Sequence, residues 1–133
     1  MVKLYKFLAH TTFLELAHQL LENHPSLKKK LNKQIEKATA DPFNAGSPMR
    51  RIQHPDLQGC VYKLWIGGRK EARMIYFVYR KKSIVFGVYV SPTVRKKFDY
   101  DKFPWLQNAI EIYNDFIKGD LSKFRLVDPA VGI

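Results

Sequence analysis

The sequence predicts one α+β domain, in which an N-terminal helical hairpin packs on one face of a curved antiparallel β-sheet and an extra helix follows near the C-terminus. Two early stretches repeat apolar residues with helical period, and three later stretches alternate with period two. The links between the later stretches are too short for anything but antiparallel neighbours. A chain of 133 residues is the length of a single domain, read as a core over about 1–100 and a C-terminal extension over 101–133.

Residues 3–8 alternate weakly and suit a strand at a sheet edge. Thr12 and Glu15 have capping-box spacing, and Phe13, Leu16, Ala17, Leu20 and Leu21 recur behind them on one helical face. That helix is expected to stop at Asn23-His24-Pro25, because the residue before proline avoids the helical region. Ser26 is placed to cap a second helix. Its apolar face is Leu27, Leu31, Ile35 and Ala38, with Lys28, Lys29, Lys30, Lys33 and Lys37 on its other sides. So short a connection predicts an antiparallel helix pair.

Residues 41–59 read as a loop, from Asp41-Pro42, Asn44-Ala45-Gly46-Ser47-Pro48 and His54-Pro55. Alternation then marks strands over 60–66, 72–80 and 84–90, joined by Gly67-Gly68 and Lys81-Lys82-Ser83 turns into a meander. A last helix is expected over 104–118, with Pro104 in its first turn and Gly119 beyond its end. Residues 120–133 carry no usable period.

The charge is uneven. The chain carries +11 overall, and residues 28–100 hold all of the excess while both flanks are close to neutral. Self-repulsion at this charge implies a polyanionic or acidic partner, and the aromatics interleaved with the basic residues favour nucleic acid over a merely solvated surface. One cysteine, Cys60, excludes an internal disulfide and points to a reducing cytoplasm. No apolar run approaches the roughly 18 residues of a membrane span, and residues 1–10 do not read as a signal peptide. His10, His18, His24 and His54 lack metal-ligand spacing, so neither metal nor organic cofactor is expected. Gly67-Gly68 lacks the following helix of a phosphate-binding loop.

Four features occur in a familiar order. They are the lysine-rich second helix closing into Asp41-Pro42-Phe43-Asn44-Ala45-Gly46, then Gly59-Cys60-Val61-Tyr62-Lys63-Leu64, then Ala72-Arg73-Met74-Ile75-Tyr76, and last Arg95-Lys96-Lys97-Phe98-Asp99-Tyr100. Together they resemble the RelE/ParE superfamily of toxin–antitoxin systems over about residues 10–100. The resemblance implies a RelE-like toxin: a metal-independent endoribonuclease that cuts ribosome-bound mRNA and is silenced by a cognate antitoxin protein. It also implies two alternatives, a noncatalytic RNA- or DNA-binding member of the fold and a ParE-like gyrase inhibitor. By the same resemblance, Lys63, Arg73, Arg95 and Tyr100 are the candidate catalytic residues. Trp65 stands where RelE itself has a second lysine, and the helix over 104–118 is absent from compact members.

Metal-free RNA cleavage needs a base for the 2′-hydroxyl proton, cations for the transition-state charge and an acid for the departing 5′-oxygen. Lys63 and Arg73 fall on strands where period-two geometry can give them one face, and arginine forks match phosphate oxygens. Neighbouring cations favour a neutral amine and a phenolate, which makes Lys63 and Tyr100 the candidate bases. Trp65 either stacks a base or covers the core, and Lys96 or Lys97 is the stand-in for the missing lysine. Arg73 has the alternative of pairing with Glu71 or Asp99. Lys28, Lys29 and Lys30 read first as a solvated face and second as phosphate contacts.

Overall fold

A computed structural model describes residues 4–49, 52, 54–69, 71–92 and 105–133. It is α+β, but the sheet is mixed. Six strands run in the order β2-β3-β4-β5-β1-β6, and β1 (Lys6–His10) pairs parallel with β5 (Ile84–Pro92). β3 (Val61–Ile66), β4 (Ala72–Tyr79) and β5 form the expected antiparallel meander. The N-terminal strand is interior and not at an edge, because β6 (Phe124–Val127) closes on its other side. β2 (Ser47–Pro48) adds two residues beyond β3.

Helix α1 (Thr11–Asn23) starts one residue before the Thr12 cap expected of it. His10 is the cap: its ring Nδ1 accepts the Thr12 backbone N–H at 3.2 Å, and the Thr12 hydroxyl lies 2.7 Å from the same nitrogen. Nor does Ser26 cap α2 (Lys28–Ala40). It sits inside a 3-10 turn, Pro25–Leu27, that runs directly into that helix. A short α3 (Pro42–Ala45) interrupts the predicted loop, and α4 (Trp105–Ile117) ends as expected before Gly119 at φ +81°.

The helices do not all share one face of the sheet. Phe13, Leu20, Leu31 and Ile35 of α1 and α2 pack with Leu64, Met74, Tyr76 and Val85 on one side. Trp105, Ala109 and Ile112 of α4 pack with Val61, Ile75, Phe77 and Phe86 on the other. Two covered faces explain why β4 is almost unbroken apolar sequence and buried from Ala72 to Val78. The α4 side is an aromatic cluster, in which Phe86 stacks on Phe77 at 5.0 Å and meets Phe116 edge-on at 5.0 Å. On the α1 side a Cβ at Gly87 would come 2.8 Å from the Phe13 ring, so only glycine lets α1 lie this close to β5.

Two irregularities set up the site. The β4–β5 register shifts between Ile75 and Tyr76, which leaves Val88 as an extra residue in β5. Beyond it, Tyr89 pairs with Ile75 and Ser91 with Arg73. β1 also stops short: its ladder with β5 reaches only Gly87, while β5 continues to Pro92.

Candidate functional site

Val61 of β3 and Ile75 and Phe77 of β4 belong to the α4-side core. Strand alternation therefore puts Lys63, Trp65 and Arg73 on that side too. Tyr113 and Phe116 of α4 lie against Phe77 and Phe86, and Lys63, Trp65 and Arg73 stand toward the end that carries the β3–β4 turn. Trp65 and Arg73 are direct ladder partners. The Arg73 guanidinium carbon lies 4.2 Å from the centre of the Trp65 ring, and the residue is only 6 % exposed. A desolvated cation–π contact of this kind contributes about 2 kcal/mol. Lys63 and Trp65 are half-buried, two residues apart on one strand.

The backbone beneath these side chains is held from the helix side. Gln34 of α2 donates through Nε2 to the Trp65 carbonyl at 2.6 Å. Ser47 pairs with Lys63, and a Cβ at Gly46 would lie 2.6 Å from the Lys63 carbonyl. Tyr76 donates its hydroxyl to the Pro42 carbonyl at 2.6 Å, and burial raises its pKa well above the usual phenol range. It is therefore a structural phenol.

Of the two acids weighed as partners for Arg73, Glu71 holds Lys30 instead, at 2.8 Å. That ion pair brings the first turn of α2 beside the β3–β4 turn. Lys28, Lys29 and Lys30 are exposed there, on the helix layer and not on the face that bears Arg73. The structure thus gathers Lys63, Trp65 and Arg73 and sets the three lysines round the sheet edge. Arg95, Lys96, Lys97, Tyr100 and Asp99 lie outside the described residues.

A second polar centre escaped sequence reasoning. His10, 1 % exposed, lies with Nε2 2.8 Å from Asp115 Oδ2, and Lys123 Nζ lies 3.5 Å from the same oxygen. The pair joins residues 105 positions apart. No local spacing announces such a contact. Glu111 brings a third candidate metal ligand within 4.8 Å. His10 Nδ1 lies against Thr12 and Nε2 against Asp115, so both ring nitrogens are engaged within the protein.

The His10 hydrogen bond holds the Asp115 carboxyl below its ordinary pKa, with Lys123 acting in the same direction against the opposing effect of burial. A depressed carboxyl contributes stability that is complete above its unfolded pKa and is lost as pH falls through the folded value. The chain is therefore expected to lose stability on acidification below about pH 4, near the ordinary value of 3.8. Chemical denaturation between pH 7 and pH 3 measures this, and Asp115→Asn is expected to flatten the acid limb. His54, in the segment read as a loop, is half-buried, with its ring edge-on to Tyr113 at 6.0 Å.

No helix among the described residues is long and apolar enough to cross a membrane. The chain matches no protein-family model and no curated protein.

Proposed function

We propose that this chain is a RelE-like, RNA-directed protein whose β3–β4 face receives a phosphodiester and cleaves it without a metal cofactor. The observation that supports this most is the Arg73–Trp65 stack beside Lys63 in a chain of net charge +11. A guanidinium can present parallel N–H donors to two phosphate oxygens, and the neighbouring ammonium adds a second positive charge. In the reaction the 2′-oxygen attacks phosphorus while its proton passes to a base, and the 5′-oxygen leaves with a proton from an acid. Arg73, Lys63 and Arg95 neutralise the charge that builds on the phosphate oxygens, and Tyr100 serves as the base. The substrate is mRNA on the ribosome, and the regulatory partner is a cognate antitoxin protein.

A second reading has its own support. Arg73 is nearly buried and already engaged with Trp65, and by the resemblance Trp65, a stacking residue, stands where RelE has a lysine. These favour a member that binds nucleic acid without cutting it. Incubation of the purified protein with ribosome-bound message separates the two. The enzyme leaves 5′-hydroxyl fragments, whereas the binder leaves RNA intact with an affinity that falls steeply with salt. A ParE-like gyrase inhibitor would instead produce DNA damage on expression, with translation unaffected.

A further inference from the structure

We propose that the groove between the end of α1 and the end of β5 is a pocket for one unpaired nucleobase of the RNA that the β3–β4 face binds; this rests on the RNA-directed reading above. The groove exists because β1 ends before β5 does. The parallel ladder stops at Gly87, β5 continues to Pro92 on its pairing with β4, and α1 leaves the end of β1 to run alongside. The gap that remains is about 220 Å³. That is below the roughly 300–1,000 Å³ of clefts for drug-sized molecules, so it takes a flat group of one or two rings.

Its lining has the chemistry of base recognition. Leu16 and Leu20 give an apolar wall on α1, and Tyr89, which also packs against the α4-side core, lines the gap from β5. Burial raises the Tyr89 pKa, so the phenol keeps its proton at neutral pH. Gln19 and Asn23, one turn apart on α1, bring side-chain amides to the same gap. Asn23 Nδ2 donates to the Gln19 backbone carbonyl at 3.0 Å, which orients the Asn23 amide and turns its oxygen to serve as an acceptor for an amino group. Side-chain amides and aromatic faces are the groups that read unstacked bases.

Position links this pocket to Arg73. Because β5 has no β1 neighbour here, side chains from both of its faces reach the gap. Ser91, which lines it, is the ladder partner of Arg73. One strand spacing, about 4.8 Å, separates the two backbones. A chain whose phosphate sits at Arg73 can therefore turn the base of an adjacent nucleotide round the strand edge into the groove. The positive charge of the chain favours this polyanionic ligand over a neutral one.

The test uses the full chain and single-stranded RNA hexamers in which each position in turn is A, C, G, U or abasic, with binding read by fluorescence anisotropy at fixed salt. One position is expected to prefer a particular base over the abasic site by about tenfold. Gln19→Ala and Asn23→Ala alter exposed residues and are expected to fold with unchanged Tm. Both should remove that preference while binding the abasic RNA as tightly as the parent. Equal binding of intact and abasic RNAs by the parent, or a preference that survives both substitutions, overturns the pocket and leaves the RNA-directed reading standing. Absence of binding to every hexamer, in titrations repeated at low and at high salt, overturns both.

Discussion

Arg73→Ala is expected to lower RNA cleavage by at least about a hundredfold while the chain remains folded. Removing one preorganised charge-stabilising group typically costs about 2.7–4 kcal/mol of barrier, because the group acts where negative charge develops in a water-poor site. Arg73 meets that description by its low exposure and by the Trp65 ring that lies against its guanidinium. Arg73→Lys is the informative companion. It restores charge but neither the fork nor the stack, so it should recover only a small part of the activity. Single-turnover cleavage of ribosome-bound message measures both, and induction in growing cells gives an independent readout. An alanine variant as toxic and as active as the parent would remove Arg73 from the site. A variant that binds RNA normally in a chain that never cut it would leave the noncatalytic reading.

The largest expected effect on stability is at His10. His10→Ala is expected to cost about 3 kcal/mol, or roughly 10 °C in Tm for a chain of this length. Two losses combine. The N-cap of α1 disappears, worth about 1 kcal/mol. The buried Asp115 carboxylate also loses its nearest donor, at 2.8 Å, and a hydrogen bond to a charged group contributes about 1.5–3 kcal/mol. Lys123 at 3.5 Å offsets only part of this, since it is 45 % exposed and screened by water. The double variant His10→Ala/Asp115→Asn should be less destabilised than the sum of the single changes, because removing the charge relieves the orphaned acceptor. Thermal and urea denaturation of the four proteins checks this. A loss below about 1 kcal/mol for His10→Ala would show that the pair does not tie α4 to the start of α1.

Much of the fold was legible because local patterns report local facts. The apolar period of residues 13–21 and 27–38 and the alternation of 60–66 and 72–80 follow from burying one face of an element, and the helices and strands stand within a residue or two of those ranges. The C-terminal helix and its glycine stop were legible for the same reason. The capping residues were not. A cap depends on where the helix begins to within one residue, and His10 won that position from Thr12 because a tertiary partner, Asp115, already fixed its ring. The weak alternation of residues 3–8 suggested an edge. It could not show that Phe124–Val127, more than a hundred residues away, would close that edge.

The site divides along the same line. Sequence alone determined that a basic, aromatic-rich domain would carry Lys63, Trp65 and Arg73 on adjacent strands, since residue type and period-two spacing are properties of the chain itself. Only the tertiary structure decided that Trp65 lies opposite Arg73, that Glu71 takes Lys30 in place of Arg73, and that the lysine-rich helix stands on the other layer from the arginine. It also decided that α4 covers the second face and that β5 outruns β1 to leave a groove. Register, layer and pairing partner are set by the summed burial of segments far apart in sequence, a quantity that no local pattern contains.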